Sequence, residues 1–318
     1  MSDVKVRLGR RLFYDTRLSG NGTFSCASCH RPALAFTDGR KRAVGSTGQQ
    51  HARSAMSLAN VAFNASYGWA DGRARTLEAQ MAVPMFNEHP IEMGLKGNEA
   101  AIVARVAADP MDAKLFRDAF PETAPVTLDN IIKAIAAFER TLISADSPLD
   151  RYLYRDDRSA LTPSAQRGMG LFFSDRLACA RCHSGFNLSG PTVHDGSAAA
   201  APTFHNTGLY NIDGRGSYPA LDRGLFDVTR RAADMGRFRA PTLRNIAATA
   251  PYMHDGSIAT LEAAITHYAS GGLKSPVKSP RLKGFTIGAG DVADLVAFLN
   301  SLTDPAFLSN AAFAPPAR

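Results

Sequence analysis

The sequence has no run of about 18 apolar residues, so nothing in it reads as a membrane span. It also lacks a basic arm: the net charge of +7 is spread along the chain, which leaves a mild preference for acidic partners and no nucleic-acid footprint. No stretch reads as a β-sheet. The start, Met1-Ser2-Asp3-Val4-Lys5-Val6-Arg7, has no apolar export segment, and we read it as a periplasmic chain whose signal has been removed. Tryptophan occurs once, at Trp69, and cysteine four times. All four cysteines fall in two C-x-x-C pairs with none left over, which excludes a disulfide framework. What remains is a globular balance of 45% apolar and 20% charged residues in 318 positions, enough for one large domain or two ordinary ones. With 26 Gly and 18 Pro, long irregular segments are expected.

Each cysteine pair is followed at once by histidine. Cys26-Ala27-Ser28-Cys29-His30 and Cys179-Ala180-Arg181-Cys182-His183 read as attachment sites for c-type haem. Two thiols three positions apart reach the two vinyl groups of one porphyrin, and the adjacent imidazole lies under the iron. A thioredoxin-like redox pair would want a strand–helix context and no second copy. A zinc site could use two C-x-x-C pairs but needs no histidine after each. By composition alone about 0.001 such pentapeptides are expected in a chain of this length. Thioether attachment normally happens outside the cytoplasm, in keeping with the periplasmic reading.

The two motifs lie 153 residues apart, so the fold class expected is mainly α, with two cytochrome c-like haem lobes and long irregular loops. The lobes are expected at 1–150 and 151–318. Asn98 can cap a helix carrying Ile102, Val103 and Val106, stopped by Asp109-Pro110. Thr127 can cap a second, with Leu128, Ile131, Ile132, Ile135, Phe138 and Leu142 on one face. The lobe boundary is expected between Ser147-Pro148 and Thr162. Thr162-Pro163 then starts a helix that runs into the second haem motif. Asp291 opens a last helix through Leu302. Between Ser184 and Met235 the chain is too long for an idle loop and should wrap a haem or a partner surface.

Around these motifs stand Phe36-Thr37-Asp38-Gly39, Asp71-Gly72-Arg73-Ala74, Glu92-Met93-Gly94, Ala240-Pro241-Thr242-Leu243-Arg244-Asn245 and Ala250-Pro251-Tyr252-Met253-His254-Asp255-Gly256. In this order they resemble the bacterial di-haem cytochrome c peroxidases and their relative MauG, over nearly the whole chain. Phe86-Asn87-Glu88-His89-Pro90 is similar to the MbnH branch, whose members oxidise a tryptophan of a companion copper-binding protein to kynurenine.

The resemblance implies roles for particular residues. The peroxidases cap the first haem with a histidine sixteen places after the proximal one; here that position is Ser46, so the first iron is expected to keep an open site. His51, close by, is read as structural or as a propionate partner. The second haem is capped by methionine in the peroxidases and by tyrosine in MauG, and Tyr268 falls on that position. Its spacing from Leu261, Ala264 and Ile265 alone would make it a core residue. A phenolate favours the higher oxidation states of iron, whereas a thioether favours Fe(II). Gln80, Pro84 and Glu92 are placed over the first haem, with Glu92 as acid–base and Glu88 or His89 as second candidates. Trp69, one residue off the family position, is expected to relay electrons between the haems. MauG has a surface tryptophan six residues before the second proximal histidine; this chain has Leu177, so Tyr210, Tyr218 or the haem edge must serve as exit. One calcium ion is implied, on the carbonyls of Thr249 and Pro251 and on Ser54 or Asn60.

The function expected is peroxide-driven oxidation of an aromatic residue on a periplasmic partner protein. A cytochrome c peroxidase fed by a small cytochrome or cupredoxin is the alternative, and a plain electron carrier a third. Ser46 and Tyr268 argue against the second, Gln80 and Glu92 against the third. Past Tyr268, Lys274-Ser275-Pro276-Val277-Lys278-Ser279-Pro280-Arg281-Leu282-Lys283 carries four basic residues and no acid, a candidate docking rim for an acidic protein.

Overall fold

A computed structural model of the chain describes residues 1–122, 126–195 and 201–317. The described helices are α1 (Asp3–Phe13), α2 (Leu77–Phe86), α3 (Glu99–Ala107), α4 (Pro110–Ala119), α5 (Leu128–Glu139), α6 (Pro148–Tyr154), α7 (Pro163–Phe173), α8 (Phe226–Thr229), α9 (Leu261–Ala269), α10 (Ala289–Asn300) and α11 (Pro305–Leu308). The mainly helical expectation holds. The one departure is a pair of two-residue strands, β1 (Phe204–His205) and β2 (Phe238–Arg239), antiparallel with Phe204 opposite Arg239.

Several starts follow from short polar side chains. The hydroxyls of Thr127, Thr162 and Thr260 accept the third backbone N–H of α5, α7 and α9, satisfying groups a helix leaves without a partner. Asn98 precedes α3 but its amide donates to the Gly94 carbonyl instead. Asp109-Pro110 does stop α3, and the same pair starts α4, which the sequence reading left out. There the Asp109 carboxylate accepts from Met111 N and Asp112 N, and proline takes the first position, where no N–H is needed. α7 ends at Phe173, short of the second motif, and α10 opens at Ala289 with Asp291 inside its first turn. α11 follows α10, so the helix opened near Asp291 is not the last. Part of the long segment 184–235 forms β1 and α8; residues 196–200 within it lie outside the described residues.

Among the described residues two large hydrophobic cores form, each around one helix crossing, beside a small cluster of Ala70, Tyr218 and Phe238. In the first, α1 crosses α5, burying Leu8, Leu12 and Phe13 against Ile131, Ile135 and Phe138. In the second, α7 crosses α10, burying Phe172 against Leu295 and Phe298. Both crossings have a glycine at the contact. A Cβ on Gly9 would lie 1.8 Å from the Ala134 carbonyl oxygen, and one on Gly168 would lie 1.9 Å from that of Asp294. In each core the helix before a haem motif is thus pressed backbone to backbone on a later helix. The C-terminal end does not stay with the second core: Phe307 and Phe313 pack on the first, and Tyr14 donates to the Phe313 carbonyl at 2.5 Å.

A buried polar hub links the cores. The Asn60 amide donates to the Ser144 carbonyl and its oxygen accepts from Ser144 N, both at 2.8 Å. Asn245 donates to the Ser144 hydroxyl, and Asp304 accepts from Ser144 Oγ, Ala145 N and Asp146 N. These groups are buried and mutually satisfied, so removing one strands another at a cost of about 1–3 kcal/mol.

Candidate functional site

Both C-x-x-C-H segments fold as the same tight turn. The amides of Cys29 and His30 donate to the Cys26 carbonyl, and those of Cys182 and His183 to the Cys179 carbonyl. The four thiols are free. Each imidazole is held through Nδ1 by a carbonyl further along: His30 by Phe36 at 2.7 Å, His183 by Leu188 at 2.9 Å. That bond leaves Nε2 as the ligating atom and fixes the ring's orientation. Burial lowers the pKa of both rings, so both are neutral, the form that binds metal.

The second motif opens on a cleft that encloses about 1480 Å³, part of it open to solvent. Cys179, Cys182, His183 and Tyr268 line it together with a mainly apolar wall, so the thiols, imidazole and phenol that the sequence reading assigned to one haem share one crevice. Burial raises the Tyr268 pKa, so the phenol stays protonated unless a cation in the crevice draws it out. Leu177 lines the same wall and is buried.

Around the first motif, α2 and the stretch after it are zipped together. Met93 N donates to the Pro84 carbonyl at 3.0 Å and Leu95 N to that of Met85 at 2.9 Å. This holds Pro84 and Glu92 on one unit. Ser46 N donates to the Glu92 carbonyl at 2.8 Å, which brings the loop of Ser46 and His51 beside them. The charge of Glu92 helps to raise the pKa of the Cys29 thiol, which sets this carboxylate near the first motif. Its side chain is 29% exposed, and burial pushes its pKa up to about 7. His51 Nε2 stands 3.6 Å from Glu92 Oε1. Burial lowers the pKa of that ring, so it is a neutral neighbour and does not offset the desolvation of the acid. Gln80 lies on α2 beside the turn at Gly68. Glu88 is exposed and paired with Lys96 at 2.5 Å, and His89 is exposed too, so neither shares the buried setting of Glu92.

Trp69 lines the second crevice, its indole N–H donating to the Ser54 carbonyl at 2.9 Å. The Ser54 hydroxyl reaches the Met253 and His254 carbonyls at 3.4 and 3.3 Å. Asn60 has both ends of its amide engaged at Ser144. Thr249 and Pro251 lie just before that Met253–His254 turn. Among the described residues no group of three or more His, Cys, Asp and Glu is arranged for a metal ion.

The crevice holds side chains that the sequence reading did not single out. Met253 offers a thioether. His205 Nε2 is buried without a hydrogen-bond partner, and its pKa is lowered to about 4 by burial and by nearby Arg281. Arg239 donates to the Gly68 carbonyl and has no ion-pair partner among the described residues; burial lowers its pKa to about 10. Glu139, in the first core near Cys26, is raised to about 8 by burial. Nothing in the local sequence marks His205, Arg239 and Glu139, because only the folded contacts desolvate them. In the basic segment, Lys278 donates to the Gly271 carbonyl and Arg281 to that of Arg181, while Lys274 and Lys283 are exposed.

Residues 3–158 match the family model described as di-haem cytochrome c peroxidase. The methylamine utilization protein MauG of Methylorubrum extorquens is 37% identical over 310 residues, covering 97% of this chain and 81% of that protein. The cytochrome c peroxidase Ccp of Escherichia coli is 38% identical over 298 residues, covering 94% of this chain and 58% of that one. Among solved structures, a MauG-like protein associated with microbial copper homeostasis superimposes with a TM-score of 0.97 at 47% identity, covering 100% of this chain and 94% of its own.

Proposed function

The chain belongs to the di-haem cytochrome c peroxidase family that includes MauG, and from that premise we propose that it uses hydrogen peroxide to oxidise an aromatic residue of a periplasmic partner protein. It is an oxidoreductase of the di-haem peroxidase type. Its finer chemistry follows from its own residues. Cys26, Cys29 and His30 would hold one haem in the first lobe, and Cys179, Cys182, His183 and Tyr268 the other in the second. Bound there, the two irons supply a seat for peroxide and a store for two oxidising equivalents. Glu92 takes the proton from the inner peroxide oxygen and returns it to the outer one, which leaves as water. Gln80 orients the peroxide with its amide, and Pro84 fills the space beside it. Arg239, on the crevice wall, is a cation available to a haem carboxylate, and Trp69 stands at the edge of the second crevice as the relay toward it. The carbonyls of Thr249 and Pro251 with Ser54 would hold a calcium ion through hard oxygen donors.

The observation that carries this reading is the half-buried Tyr268 phenol, which lines the crevice of the second motif together with Cys179, Cys182 and His183. An anionic oxygen donor stabilises oxidised iron, which suits storage of oxidising equivalents rather than acceptance of electrons from a cytochrome. A companion copper-binding protein, oxidised from tryptophan to kynurenine, is the partner we propose; the likeness to the protein associated with copper homeostasis supports it. Met253 in the same crevice favours the second reading, a methionine-capped cytochrome c peroxidase. Tyr268→Phe decides between them. It should alter the absorbance of the second haem and raise its potential while leaving the first nearly intact. An unchanged spectrum in Tyr268→Phe, with a changed one in Met253→Leu, would hand the site to the thioether and the peroxidase.

A further inference from the structure

A series of rings leads away from the second crevice. Phe238 and His254 line it and stack with centroids 3.7 Å apart and 15° between planes. Behind them lies Tyr218, 6.1 Å from Phe238 and 6.4 Å from His254. Tyr210 comes next, 5.5 Å from Tyr218, and is only half-buried. Trp69 packs against the same cluster.

The two tyrosines differ in what receives their hydroxyls. Tyr218 is buried and donates to Asn206 Oδ1 at 3.0 Å, an amide oxygen too weakly basic to take the proton. Tyr210 donates to Asp255 Oδ2 at 2.5 Å, the length of a charge-assisted bond. A phenol that loses an electron becomes a strong acid, so it holds a hole only where a base stands ready for its proton. Asp255 is such a base: its other oxygen accepts from Ser257 N, which fixes the carboxylate in place. Burial works against its ionisation, yet the bonds from Tyr210 and Ser257 hold its pKa below the usual value. Near Tyr210 the apolar side chains of Ile212 and Leu273 are 65% and 51% exposed, and Asn211 ties their two segments together through the Lys274 carbonyl.

We propose that Tyr210 is the exit station for the oxidising equivalents, its hydroxyl proton passing to Asp255 as its electron leaves. This rests on the peroxide-driven partner oxidation proposed above. One electron passes from Tyr210 by way of Tyr218 and the crevice rings to the oxidised haem pair. The phenolic O–H bond breaks and an O–H bond on Asp255 Oδ2 forms. An aromatic side chain of the partner, seated on the Ile212–Leu273 edge, then returns the electron, and the proton moves back. Two such cycles draw two electrons from the partner; its oxidised aromatic side chain releases two protons to solvent, and solvent supplies the two protons that complete the reduction of one hydrogen peroxide to two waters.

The test uses the full-length ferric holoprotein mixed with one equivalent of hydrogen peroxide, without partner. Optical stopped flow follows the loss and return of the resting spectrum, and freeze-quench paramagnetic resonance, with ring-deuterated tyrosine, follows the radical. The parent should form a tyrosyl radical as the spectrum returns. Tyr210→Phe should lower the radical yield and slow the return by about tenfold or more, the lower range for loss of a positioned proton acceptor. Asp255→Asn, which keeps the shape but not the base, should do the same and carries the test if Tyr210→Phe lowers the unfolding midpoint. Tyr154→Phe, at a tyrosine 70% exposed, should behave as the parent. Parent-like radical yield and return rate in both Tyr210→Phe and Asp255→Asn overturn the exit station. A parent whose resting spectrum ignores peroxide overturns the exit station and the partner-oxidation reading together.

Discussion

Glu92 shows how a single side chain carries both a structural and a chemical consequence. Its carbonyl accepts the Ser46 amide while its carboxyl sits desolvated beside neutral His51. With a pKa near 7, it is divided between its two forms at neutral pH, as a proton shuttle requires. The proton must first be taken from peroxide, so the ionised form is the competent one. The bimolecular rate of peroxide with ferric protein should therefore rise with pH and level off above about 7. Glu92→Gln should slow that step by about 100-fold and flatten its pH profile. Stopped-flow rates from pH 5 to 9 check this, and a loss below about threefold in Glu92→Gln would reassign the proton transfer to another group.

At the scale of elements, the helix crossings decide where the motifs lie. Gly168 lets α7 approach α10 to backbone contact, and α7 leads directly to Cys179. The added methyl of Gly168→Ala would collide with the Asp294 carbonyl, so the helices must part, at a cost of about 1–3 kcal/mol. The denaturant midpoint of the holoprotein should fall accordingly, and the second haem's spectrum should shift before the first's. Better helix propensity at this position gains at most about 1 kcal/mol. An unchanged or raised midpoint would mean that the crossing has slack.

For the molecule as a whole, the exposed Lys274 and Lys283 lie on the segment that follows Tyr268 and α9, tied to the surface at Tyr210. Lys278 and Arg281 also hold that segment in shape through backbone carbonyls, so Lys274 and Lys283 are the positions where charge can be reversed without loosening it. Exposed charge acts mainly on association rate. Lys274→Glu with Lys283→Glu should slow partner oxidation at low salt and leave peroxide activation unaffected. The difference should shrink toward physiological ionic strength, where the Debye length is about 8 Å. Equal rates at low salt for the double variant and the parent would place docking elsewhere.

The two haem motifs, the helical class and the Thr127 and Thr162 caps were legible in the sequence because each depends on residues within one turn of the chain. Tyr268 came forward through resemblance alone, since its spacing from Leu261, Ala264 and Ile265 reads as a core position. The paired α4 start at Asp109-Pro110 was legible in principle but hidden by its second role as a stop. Tertiary structure alone decided the rest. It set Glu92 against His51, engaged Asn60 at Ser144, placed Phe307 and Phe313 on the first core and hydrogen-bonded Tyr210 to Asp255. These partners are 41, 84, about 170 and 45 positions apart or more, too far for any periodicity to relate them. Their pairing, and the burial that shifts their acidity, arises only when the cores close and remove water from both at once.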